Sequence, residues 1–172
     1  RHQAVPIGLA ALLALLSMLS PFSIDTFFPS FRAMQAEFGI SSLSIQQTLT
    51  AYMLPYAFMS LVHGPLSDAL GRRVIVLWGL ALYAIASLAC TFSSSFAALL
   101  AFRAIQGMTA GAGLTVGRAI IRDLYDGPEA QRLMSAVTMI FSVAPAMAPV
   151  VGGWIHVAFG WRAVFFFLFA LG

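Results

Sequence analysis

Six apolar runs separated by short polar breaks leave this chain few ways to fold. They cover residues 6–29, 45–66, 74–92, 96–121, 133–157 and 161–172. A helix of about 20 apolar residues crosses the roughly 30 Å hydrocarbon core of a bilayer, and the first five runs reach that length. Only 9% of the residues are charged and 60% are hydrophobic, against roughly 25% charged in a soluble domain. A core of this size cannot hide so much apolar surface, so the solvent must be lipid. The expected fold is an all-helical membrane bundle whose short links make neighbouring helices antiparallel.

Charge placement orients the bundle. The chain has no lysine, so its net charge of +3 comes from arginines. Arg1, Arg72, Arg73, Arg118, Arg122 and Arg132 fall on one side of the runs; Arg32 and Arg162 fall on the other. The positive-inside rule puts the first side, and with it the N-terminus, in the cytoplasm. The basic balance thus speaks to loop placement and not to nucleic acid. Cys90 stands alone in an apolar run and reads as a small buried hydrophobe. The first run is long enough to span, so no cleavable leader is expected. The sequence starts at Arg1, and its last run holds twelve residues, about 18 Å of helix. That suggests a piece of a longer protein, cut inside its sixth helix.

Residues 64–73, Gly-Pro-Leu-Ser-Asp-Ala-Leu-Gly-Arg-Arg, concentrate polarity between two apolar runs. Gly64-Pro65 is expected to end one helix and Gly71 to permit a tight turn. Arg72-Arg73 then open the next helix. Asp68, Arg72 and Arg73, with Asp123 at the far end of the fourth run, form a candidate cytoplasmic charge cluster. It reads either as a weak surface set or as a latch that holds one conformation.

A few residues do not belong in lipid. Asp25 lies eighteen residues beyond Ile7, about 27 Å along the first helix. It is either solvated near the outer interface or a carboxylate facing a central cavity, able to take a proton from one side and release it on the other. Arg103 lies seven residues into a helix that starts outside, about 10 Å deep, so both sit at comparable depth. They also lie on the first helices of two three-helix groups, the spacing of an inverted repeat. Arg103 needs carbonyl, carboxylate or ligand partners, in a structural role tying helix 4 to helix 1, a functional role, or both. Gly107/Gly111 and Gly113/Gly117 repeat at four residues on helix 4, which lets backbones approach closely. On helix 5, Pro145 and Pro149 with Gly152 and Gly153 suggest a hinge or sliding surface, or else a static kink.

These motifs together resemble the major facilitator superfamily. Gly64-x-Leu66-x-Asp68-x-x-Gly71-Arg72-Arg73 is similar to its helix 2–3 loop motif. Arg103-x-x-Gln106-Gly107 is similar to its helix 4 motif, and Ala148-Pro149-x-x-Gly152-Gly153 to the helix 5 motif of its antiporters. Asp25-Thr26-x-x-Pro29 and residues 117–125 resemble the Bcr/CflA drug-resistance branch. Two positions depart from the pattern: Ala69 stands where a basic residue is usual, and Ala148 replaces a glycine.

The resemblance implies the N-terminal six-helix half of a twelve-helix transporter. It implies proton-coupled efflux of amphipathic drugs across a bacterial inner membrane by alternating access, with the proton gradient as energy source and neither cofactor nor metal. Asp25, Arg103 and Gln106 would couple proton to substrate. Asp68, Arg72 and Asp123 would hold the cytoplasmic side closed, and the helix 5 prolines and glycines would line the interface with the missing C-terminal half. Phe22, Tyr52, Tyr56 and Phe58 are candidates for an aromatic pocket, or else packing residues. Transport of a metabolite such as an amino acid or sugar is the alternative reading. A membrane enzyme would need a catalytic set: His2, His63 and His156 lie on separate segments, and no second acid joins Asp25.

Overall fold

A computed structural model of the chain describes residues 7–172; Arg1, His2 and Pro6 lie outside the described residues. Helix α1 (Ile7–Asp25) is followed by a single 3₁₀ turn (Phe28–Ser30) and by α2 (Phe31–Phe38) and α3 (Ser42–Ile45). Then come α4 (Gln47–Leu70), α5 (Arg72–Thr91), α6 (Phe96–Leu124), α7 (Gly127–Phe159) and α8 (Trp161–Leu171). Helices α1, α4, α5, α6, α7 and α8 fall on the six apolar runs, and the link 30–44 is itself mostly helical.

Residues 64–73 differ from expectation. Gly64-Pro65 does not end a helix: α4 continues to Leu70, and only Gly71 interrupts it before α5. Pro65 removes a single N–H, which a long packed helix absorbs. The break comes at Gly71, whose φ of 94° is a backbone state that side chains with a Cβ disfavour. Asp68 is therefore in the last turn of α4 and Arg72 in the first of α5. The link at residues 122–132 also shrinks, to Tyr125 and Asp126, because Pro128 sits in the first turn of α7, where a missing N–H costs nothing. At 33 residues, α7 is about 50 Å long.

Packing follows a two-fold pattern. The first triplet is α1, α4 and α5; the second is α6, α7 and α8. Helix α1 packs on α7 as α6 packs on α4, α1 meets α6, and α5 meets α8. Exchanging the triplets returns the same pairs, as the inverted repeat predicts. The tight α5–α6 contact breaks the pattern, since α1 and α8 touch only slightly.

Helix α6 lies at the centre because its side chains are small. A Cβ on Gly107 would lie 2.1 Å from the Tyr52 carbonyl oxygen of α4. One on Gly113 would lie 3.1 Å from the Leu16 carbonyl oxygen of α1. The two glycine pairs thus serve two faces: Gly107 and Gly111 admit α4, and Gly113 and Gly117 admit α1. Among the described residues, three stretches are long and apolar enough to cross a membrane. They are the one holding α1, then α5 and α7, with mean hydropathies of 1.6, 2.1 and 1.8. Helices α4 and α6 fall short because they carry the interior polar residues, and α8 because it is short.

Candidate functional site

Arg103 is the largest fully buried side chain. Ser95 caps α6 by accepting the Ala98 N–H at 3.2 Å, which sets Arg103 two turns inside the bundle. Its Nη1 donates to the Ser23 carbonyl of α1 at 2.9 Å and to Gln106 Oε1 at 2.6 Å. Its Nε donates to the Thr48 carbonyl of α4 at 3.4 Å. Gln106 Nε2 donates in turn to Ser87 Oγ of α5 at 2.7 Å. Ser23 Oγ and the Tyr83 hydroxyl meet at 2.5 Å, closing the ring between α1 and α5. The guanidinium lies 4.3 Å from the ring centre of Phe27 and 4.5 Å from that of Tyr52, so aromatic faces stand where lipid or water would otherwise be.

One motif, Arg103-x-x-Gln106-Gly107, therefore joins four helices. Among the described residues no carboxylate pairs with this cation, whose partners are two carbonyls and an amide oxygen. Arg103 Nη2 and the Tyr52 hydroxyl are buried without partners.

Asp25 is the last residue of α1 and is half-buried. It stands two residues from Ser23, whose carbonyl holds Arg103, so the acid and the base lie at neighbouring levels without pairing. The next residue, Thr26, is the seat of α7: a Cβ on Gly152 would lie 1.7 Å from the Thr26 carbonyl oxygen. Pro145, exposed, and Pro149, half-buried, leave α7 a single helix, and Ala148 is fully buried.

The four aromatic candidates do not share one cavity. Phe22 is buried against Phe167, with ring centres 6.2 Å apart. Tyr52 is buried and stacks on Tyr56 at 5.9 Å. Phe58 is 67% exposed on the outside of α4. Tyr56 lines a recess between α4, α6 and α7. The larger cavity is a groove of about 540 Å³ between α1 and α7, formed by Ala11, Leu15 and Met18 with Met139, Val143 and Met147 among others. Sequence reasoning missed it. The available signal was Met139 and Met147 eight residues apart, a spacing that returns to one helix face.

On the side expected to be cytoplasmic, Arg72 pairs with Asp68. It also donates to Asp123 Oδ2 at 2.9 Å and to Ser67 Oγ at 2.5 Å. Arg73 is exposed and takes no part in these pairs. Arg72 lies at the positive end of α5, and Asp68 and Asp123 lie at the negative ends of α4 and α6. Each charge opposes its own helix dipole, and pairing offsets that.

A second clasp, absent from the sequence reading, stands at the opposite end. Trp161 Nε1 donates to Glu37 Oε2 at 2.6 Å and Arg162 Nη1 to Glu37 Oε1 at 2.5 Å. Arg162 Nη2 reaches the Ser93 carbonyl at 3.2 Å. Glu37 lies on the α2 link beyond the end of α1. Hydrogen bonds from Trp161 and then Arg162 hold its carboxyl below the usual glutamate range.

Comparison with known proteins points one way. The profile of the Major Facilitator Superfamily matches residues 13–172. The chain is 35% identical over 160 residues to the bicyclomycin resistance protein homolog of Haemophilus influenzae, covering 93% of this chain and 40% of that protein. It is 32% identical over 165 residues to multidrug resistance protein D of Escherichia coli, covering 96% and 42%. It is 35% identical over 165 residues to the chloramphenicol resistance protein of Pseudomonas aeruginosa, covering 94% and 39%. The chain thus spans about two fifths of the length of these relatives.

Proposed function

Because the chain belongs to the Major Facilitator Superfamily, we propose that the full-length protein exports small amphipathic drugs across the bacterial inner membrane in exchange for protons. The observation that carries this reading is the α1–α7 groove. Its walls are alanine, leucine, isoleucine, valine and methionine, and methionine adapts to ligands of varied shape. The relatives' names, which specify resistance to bicyclomycin, chloramphenicol and multiple drugs, support it independently.

Asp25 is the proposed proton carrier. It is an acid at the end of α1, half-buried and outside the ion pairs formed among the described residues. Arg103 and Gln106 act as positioning residues. Arg103 grips α1 through the Ser23 carbonyl, so a change of charge at Asp25 bears on the helix that α6 holds. Neutralising Asp25 then shifts the population between outward- and inward-facing states by the difference in its interactions in the two. The N-terminus and the Arg72 cluster face the cytoplasm, by arginine placement. The C-terminal half supplies the second wall of the path.

The test is growth of a drug-sensitive bacterial host expressing the full-length protein or its Asp25→Asn variant at equal levels on an antibiotic panel. Resistance with the parent, lost in the variant, is the expected result. Resistance untouched by the substitution removes Asp25 from the mechanism. No resistance to any drug transfers the reading to a small metabolite.

A further inference from the structure

The second cavity differs in kind from the groove. It is a recess of about 360 Å³ between α4, α6 and α7, with Arg118 and Arg122 on its rim. The two arginines are four residues apart, hence neighbours on one face of α6, where like charges destabilise one another. Neither joins an ion pair among the described residues, and no acid lines the recess. Asp123, the chain neighbour of Arg122, is taken by Arg72.

The wall carries Ser60, Thr115 and Tyr56. Behind Tyr56, His63 is 4% exposed and its Nδ1 has no partner. Gly111 leaves the gap that both of them front: a Cβ there would lie 3.1 Å from the Tyr56 ring and 3.6 Å from His63 Nδ1. Met134 closes the recess on the α7 side. A shallow apolar and hydroxyl surface along α7 then joins Met134 to Met139, which belongs to the groove.

We propose that the recess binds the anionic group of an amphipathic ligand, a carboxylate or phosphate, while the ligand's apolar body lies along α7 toward the groove. Two guanidiniums with no carboxylate between them present forked donors that match such oxygens. Thr115 and Tyr56 add hydroxyls to the wall, while that of Ser60 donates to the Ala57 carbonyl at 2.7 Å. The same chemistry comes from two sources, an anionic cargo molecule or the headgroup of an anionic phospholipid. The inference rests on the export reading only in calling the ligand cargo.

The experiment is an equilibrium titration of the full-length protein in dodecyl maltoside with 11-(dansylamino)undecanoic acid, read by dansyl fluorescence. The expected result is saturable binding that weakens about tenfold or more in Arg118→Gln/Arg122→Gln, the loss of a charge-assisted bond. Most of it returns in Arg118→Lys/Arg122→Lys. Arg32→Gln, an exposed arginine far from the recess, leaves it unchanged. A second measurement needs no variant: dodecyl phosphate displaces the probe from the parent protein, and dodecyltrimethylammonium does not. Displacement by a low mole fraction of dioleoylphosphatidylglycerol assigns the site to lipid. Displacement by dodecyl phosphate alone assigns it to cargo. A glutamine pair that binds within twofold of the parent overturns the proposal, as does equal displacement by the cation. Binding at equilibrium requires no transport, so this result and the growth result fail separately.

Discussion

Gly152 and Gly153 are adjacent in sequence, and the structure gives them opposite tolerances. A Cβ on Gly152 would sit 1.7 Å from the Thr26 carbonyl oxygen and 2.5 Å from its carbonyl carbon. Both are backbone atoms that no rotamer change can move. Restoring an ordinary contact requires α1 and α7 to separate by about 1.7 Å at this point, which strips dispersion contacts along the seam. Overpacking of this kind costs about 1–3 kcal/mol or more. A Cβ on Gly153 meets Pro29 Cγ at 3.8 Å, an ordinary contact, and alanine there gains up to about 1 kcal/mol of helix propensity. In thermal unfolding of the full-length protein in detergent, Gly152→Ala is expected to lower the midpoint by about 2–3 °C, taking about 2 kcal/mol and about 1–1.5 °C per kcal/mol for a chain as long as the relatives. Gly153→Ala should match or exceed the parent. Equal midpoints for the two variants, or a Gly152→Ala midpoint within a degree of the parent, would refute the close-approach argument.

Arg103→Lys keeps the charge but loses the fork that reaches Ser23, Thr48 and Gln106 together. It should cost about 2–4 kcal/mol, one to two charge-assisted bonds, and a melting curve unchanged from the parent would contradict the four-helix role. The Glu37 clasp is acid-labile in a defined direction. Its carboxyl is held below the ordinary range, so its contribution is complete above that range and is lost as pH falls through the lowered value. Trp161 emission, with every other tryptophan of the protein, Trp78 and Trp154 among them, replaced by phenylalanine, should shift over that window and show no step in Glu37→Gln; a step surviving in Glu37→Gln would detach the signal from the clasp.

The sequence made the long helices legible because each follows an apolar run, and it made Arg103's place two turns into α6 legible because helical rise is fixed. It misplaced the break before α5 because proline and glycine are strong turn signals in water. In a packed helix a single missing N–H at Pro65 is a small loss, and the decision passes to the φ of Gly71. It did not show that Arg103 would go without a carboxylate. The carbonyls of Ser23 and Thr48 that receive it are backbone groups, which every residue type carries alike. The groove and the Glu37–Trp161–Arg162 clasp escaped for a related reason: their members lie on helices more than a hundred residues apart, and no local spacing brings them together.

The single-residue joint at Gly71 has a consequence for how the chain enters the membrane. Helix α4 falls below the apolarity needed to cross by itself, while α5, one residue away, has a mean hydropathy of 2.1. Helix α6, which also falls below it, follows α5 after a four-residue turn and is joined to α7 through Tyr125 and Asp126. Each poorly apolar helix is thus bordered on both sides by a strongly apolar one. Partitioning from the translocon follows the summed apolarity of what enters, so the joints make α4 and α6 passengers in hairpins whose other arm supplies the driving force. Lengthening the Gly71 joint with a polar linker would then expose α4 to sorting on its own merits, as a failure of topology and not of folding.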